Sequence, residues 1–116
     1  METKTIIKTI LKRIDKRLTE EKETYKKLIQ KLPVNDLENY RSNLSYCLMV
    51  IKIYSLIKDK LESIHSDDLN YIELRLFKEI IPDCATRNQV GLLQCIINDI
   101  DRLKAGKCLD VIEVSI

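Results

Sequence analysis

Glycine and proline are nearly missing, with two of each in 116 residues. So few turning points exclude a fold of many short strands and favour long helices with short connections. There is one histidine, His65, so nucleophile–base pairs that rely on imidazole have a single candidate. It lies in the expected turn Glu62-Ser63-Ile64-His65-Ser66-Asp67, where its Ser and Asp neighbours form a chance cluster with no scaffold to aim it. The Glu-x-x-His pattern of di-iron bundles is absent, as is a glycine-rich phosphate loop, since Gly91 and Gly106 stand alone. The helical nuclease pattern of an arginine followed some five residues later by histidine is missing too.

No long apolar run occurs. The most apolar stretch, Tyr46 to Ile57, is about half a membrane span and contains Lys52. Polar and charged residues follow Met1 without an apolar leader core, so a cytoplasmic (or, in a eukaryote, nuclear) protein with no membrane association is expected. The four cysteines, Cys47, Cys84, Cys95 and Cys108, form no Cys-x-x-Cys pair. A zinc site wants tight paired spacing. Buried free thiols are expected instead, with no metal, cofactor or catalytic set.

What is present is charge and helical periodicity. Charged residues make up 33%, above the usual quarter. Residues 1–31 hold ten Lys or Arg against five Asp or Glu, whereas the rest holds ten against thirteen. A basic first helix follows, with Lys4, Lys8, Lys12, Lys16, Lys26 and Lys27 as a candidate phosphate-binding face. A solvated helix face accounts for the same residues.

Ile7, Leu11, Ile14, Leu18, Tyr25, Leu28 and Leu32 step by three, four and seven, an a/d seam with Glu21 at one seam position. One helix is expected to Leu32, with a restart at Thr19-Glu20-Glu21 as the alternative. Pro33 stops it. Asn35 and Glu38 suggest a capping box for a second helix over about 36–64. Its seam reads Leu37, Tyr40, Leu44, Cys47, Ile51, Tyr54 and Leu61, and it is apolar nearly all round between Tyr46 and Ile57. Ser66-Asp67-Asp68 opens a third helix, with Leu69, Ile72, Leu76 and Ile80 as its stripe, widened by Leu74 and Phe77. Pro82 ends it. Thr86 and Gln89 cap a fourth, carrying Val90, Leu93, Ile96, Ile97, Ile100 and Leu103, with Asn98, Asp99 and Asp101 opposite and solvated. Gly91 suggests close approach of another helix or a neutral site; Gly106 suits a left-handed cap. Beyond it, Ile112, Val114 and Ile116 alternate as in a β-strand, one that needs a ladder partner elsewhere unless the tail is coil.

Tyr40-Arg41-Ser42-Asn43-Leu44-Ser45-Tyr46, ending in Lys52-Ile53, is similar to the long central helix of the GINS replication-factor subunits. Ser66-Asp67-Asp68-Leu69-Asn70-Tyr71 resembles the opening of that family's next helix. The likeness covers about residues 37–116, but Leu48, Met49 and Val50 stand where that family carries arginines, and its small β domain would be absent. It implies a non-enzymatic tetramer subunit that bridges a replicative helicase to its partners.

The expected fold is all-α: an antiparallel bundle of four or five helices over 1–106, with a C-terminal strand over 107–116. The expected function is a non-enzymatic interaction module, a subunit, adaptor or inhibitor, binding a protein partner or its own copies. Its candidate interface is Tyr40, Leu44, Cys47, Ile51, Tyr54, Ile112, Val114 and Ile116. Nucleic-acid binding through the lysines is the alternative.

Overall fold

A computed structural model describes residues 2–31, 35–107 and 109. These residues are all-helical, in the order α1 (Thr3–Gln30), α2 (Leu37–Ser63), α3 (Leu69–Ile80), a short 3-10 turn (Ile81–Asp83) and α4 (Arg87–Lys104). No strand occurs among them; Ile112, Val114 and Ile116 lie outside the described residues.

α1 is continuous. The Thr19 hydroxyl donates to the Asp15 carbonyl at 2.9 Å, one turn back, so it sits inside the helix and caps nothing. The buried stripe of α1 is Ile6, Ile10, Ile14 and Leu18. The a/d seam expected through Ile7 and Leu11 is corrected, since both are only partly buried at the core's margin. A ridge advancing by fours is what a helix offers when it lies across two neighbours rather than coiling along one; α1 packs on both α2 and α4.

α2 begins at Asp36, not Asn35: the Asp36 carboxylate accepts the Asn39 N–H at 3.1 Å. Asp36 has φ 55°, a left-handed conformation that aspartate tolerates better than most residues. α2 packs against all three other helices, with Cys47, Val50, Ile53, Tyr54, Ile57 and Leu61 buried. It is not enclosed on every side, because Tyr46 and Leu48 remain 46% and 49% exposed. Tyr40 Oη donates to the Leu28 carbonyl at 2.6 Å and Lys58 pairs with Asp15 at 2.7 Å, so α1 and α2 run antiparallel.

Asp68 caps α3 by accepting the Asn70 N–H at 3.0 Å. Ile72, Leu76 and Ile80 are buried, but Leu74 and Phe77 do not widen that stripe: they are 64% and 44% exposed. Thr86 Oγ1 accepts the Gln89 N–H at 3.3 Å, and the Gln89 side chain accepts the Ala85 N–H. Both halves of the expected box are therefore occupied, the return bond one residue early. At the far end of α4, Gly106 has φ 75°. Its N–H donates to Leu103 O, and Lys107 N–H to Arg102 O, the paired bonds of a Schellman cap.

The four helices enclose one core, joined by Leu109 at 6% exposure. α1 and α2, of 28 and 27 residues, outrun α3 and α4, of 12 and 18. The excess leaves an arm of about 13–15 Å. Beyond Leu18 on α1 and before Cys47 on α2, no described residue is buried.

Gly91 serves no close approach, because a Cβ there would meet nothing within 4 Å. Gly91→Ala is expected to stabilise the fold by roughly 0.5–1 kcal/mol through helix propensity and a less mobile unfolded chain. A urea melt checks this; destabilisation would mean α4 is not helical there.

Candidate functional site

The polar groups between helices are candidates for chemistry. α1 and α4 flank a groove of about 500 Å³, lined by Arg13, Lys16, Arg17, Glu20, Asp99 and Arg102 among others. In it Arg13 Nε meets Asp99 Oδ2 at 3.2 Å. Asp99 was expected to be solvated opposite the apolar stripe; it is 6% exposed. α4 is not one-sided, because α1 covers a second flank. Burial raises the Asp99 pKa, against the opposing pull of the Arg13 and Arg102 charges. Arg17 Nε donates to Glu21 Oε1 at 3.0 Å, and its Nη2 to Tyr46 Oη at 3.4 Å. Glu21, the anomalous seam residue, is thus held by its own helix. These charges tie α1 to α4 and α2.

A second cluster lies between α3 and α4. Lys104 Nζ donates to Asn70 Oδ1 at 2.7 Å and stands 3.7 Å from both Glu73 and Asp101. Burial, then the neighbouring Asp101 carboxyl, pushes the Glu73 pKa up to about 7. The folded state therefore holds this proton more tightly than the unfolded chain. The contribution to stability is full below about pH 4.5 and lost as pH rises through about 7. Glu73→Gln is expected to flatten the stability profile in that window and to leave the variant more stable than wild type at pH 8. Urea melts from about pH 4 to 8 test it; an unaltered slope would mean Glu73 is ionised throughout.

His65 is exposed beside the α2–α3 connection. The Ser63 hydroxyl donates to the Lys60 carbonyl at 3.0 Å, and Ser66 Oγ accepts the Asp68 N–H at 3.1 Å, so both serines serve local backbone. Among the described residues no cluster of three or more His, Cys, Asp or Glu could hold a metal. Cys47 is buried and Cys84 partly so, but Cys95 is exposed, against the expectation of buried thiols; Cys108 is not among the described residues.

The expected interface residues divide. Cys47 and Tyr54, at 3% and 7% exposure, point into the chain's own core and are corrected as surface candidates: they occupy the flank of α2 that faces α1 and α4. Tyr40, Leu44 and Ile51 are half-buried at the margin. Lys4, Lys8, Lys12 and Lys16 are all exposed and recur every four residues, on the side of α1 opposite its buried stripe. Lys26 falls on that side five turns after Lys8, and Lys27 about three turns after Lys16.

The surface that stands out most lies outside the α2 seam. Besides Tyr46 on α2 and Val90 on α4, the large exposed apolar side chains fall into two sets. Tyr71, Leu74 and Phe77 sit on α3, 44%, 64% and 44% exposed, on the face opposite Ile72, Leu76 and Ile80. Arg75 stacks over the Tyr71 ring at 5.8 Å and pairs with Glu79 at 3.1 Å. The second group is Leu37 and Leu48 on α2, with Ile29 near the end of α1, 62%, 49% and 49% exposed. The available signal was a helix with apolar residues on more than one stripe, which does not say which stripe is the core. No helix among the described residues is long and apolar enough to cross a membrane. No family model, curated protein or solved structure matches this chain.

Proposed function

We propose that this protein is a non-enzymatic interaction module that works by offering helical surface to other protein chains. One observation carries the reading: α3 is apolar on two opposite faces, and only one of them is used by the core. An exposed apolar patch with aromatic side chains on one short helix marks a protein-interaction surface. The ionic clusters, by contrast, hold helices to one another. The fitting partner for the α3 face is an amphipathic helix of another protein, docking its apolar side over Leu74 and Phe77. A scaffold subunit of the kind implied by the GINS resemblance is one instance of this reading.

A photo-crosslinking residue placed at Leu74 in the source cells tests it, with the exposed position Glu62 as control. One or a few discrete protein adducts are expected at Leu74 and none at Glu62. An identical diffuse pattern at both sites would contradict the reading.

The aligned lysines Lys4, Lys8, Lys12 and Lys16 support a second reading, phosphate-backbone binding. Four phosphate contacts would weaken binding roughly 100-fold between 50 and 200 mM salt. A gel shift with duplex DNA or RNA at low salt decides it, and no retardation at all disposes of it.

A further inference from the structure

The outer flank of α2 carries an apolar stripe that the chain leaves partly uncovered. Leu37, Leu44, Leu48 and Ile51 are spaced seven, four and three residues apart, a heptad-type seam about 21 Å long. Leu37 and Leu48 are the exposed members, while Leu44 and Ile51 are half-buried against the hairpin's margin. The core lies on a different flank, through Val50, Ile53 and Ile57. Small hydroxyl residues, Ser45 and Ser55, border the stripe and leave room for close approach.

The charges beside this stripe identify its occupant. Glu38 stands at its N-terminal end and Lys52 at the other, with Arg41 one turn inside Glu38; all three are exposed. Glu38 and Lys52 are two heptads apart, on the same side of the stripe. In a parallel helix pair related by a two-fold axis, equivalent levels meet, which would leave Lys52 about 21 Å along the axis from Glu38 of the other helix. In an antiparallel pair, residues of one flank meet the opposite end of the same flank on the other helix. A two-fold axis near Leu44 then sets Leu37 against Ile51 of the second copy. It also brings each Lys52 within about two residues, along the axis, of Glu38 of the other chain. The same sequence element supplies both halves, as an isologous contact requires.

We propose that two copies of the chain pair antiparallel along this outer flank of α2, with Leu44 at the two-fold axis. The proposal rests on the reading of the protein as a surface-presenting module and names the occupant of one surface. The contact is short, so the dimer is weak and dependent on concentration. The arm beyond the core lengthens the available seam.

Sedimentation velocity over about 5 to 500 µM tests this. The weight-average mass is expected to rise from one chain toward two. Leu48→Glu is expected to weaken association at least about tenfold with an unchanged melting temperature, because this side chain is outside the core. Glu38→Lys and Lys52→Glu should each weaken it as well, and the double variant should restore it. Leu44→Cys should give a disulfide-linked dimer under mild oxidation, in a background with the native cysteines replaced by serine or alanine. A mass of one chain at every concentration, or a double charge reversal that fails to restore pairing, overturns the proposal. A monomer that still forms discrete adducts from position 74 would remove the dimer and leave the wider reading standing. Dimers with no specific adducts would do the reverse.

Discussion

Ile57→Ala is expected to lose about 3–4 kcal/mol of stability, the largest effect of any single truncation considered. Ile57 is 0% exposed on the helix that touches all the others. Its loss combines the transfer energy of the removed carbons with a cavity that three neighbouring helices must hold open. With a total stability of about 5–15 kcal/mol for a domain of this size, that is a large share. A urea melt should show a lower midpoint and an unchanged slope. Leu48→Ala, on the same helix but 49% exposed, is expected to change stability by less than about 0.5 kcal/mol. Equal losses at the two positions would mean that the core and surface flanks of α2 have been exchanged.

Arg13→Ala is expected to cost about 2–3 kcal/mol, less than a fully buried pair would, because the Arg13 side chain keeps 21% of its surface in solvent. The cost comes chiefly from what is left behind. Asp99 stays nearly enclosed, with its charge no longer met at 3.2 Å by Nε. Arg102 still faces Asp99 and limits the loss. Burial already raises the Asp99 pKa, and removal of Arg13 raises it further. The deficit should therefore shrink on acidification, as the stranded carboxylate takes up a proton. Denaturant melts of the variant at about pH 7 and pH 5 check this. An apolar pair, Arg13→Met with Asp99→Leu, should recover most of the stability. A deficit that stays constant with pH would show that Asp99 is not the group left uncompensated.

The elements and the buried stripes of α3 and α4 were legible in the sequence, whereas the inward flanks of α1 and α2 were not. Scarce glycine and proline, the Thr86–Gln89 pair and Gly106 marked helices and their ends through local chemistry that neighbours do not alter. Asp36 took the capping role from Asn35 because two adjacent residues had the same ability, and only backbone conformation separates them. The stripes on α1 and α2, and the width of that on α3, were harder, because each helix carries more apolar positions than a single face needs. On α1 the fours of Ile6, Ile10, Ile14 and Leu18 competed with the threes and fours of the heptad through Ile7 and Leu11. On α3, Leu74 and Phe77 read as a wider core stripe, although they belong to the opposite surface. Asp99 was misplaced for a related reason: a side chain opposite one buried stripe can still face a third helix. Local pattern gives the rods, whereas the flank each rod turns inward depends on which others lie beside it.

Carbene footprinting of the dilute protein most directly tests the claim that apolar surface left outside the core carries the function. Diazirine labelling should modify Leu37, Leu48, Leu74 and Phe77 strongly and leave Ile10, Ile57 and Leu76 unlabelled. Raising the protein concentration should protect Leu37 and Leu48 but not Leu74. Labelling of Leu74 and Phe77 as low as that of Ile57 would contradict the account, because those side chains would then belong to the interior.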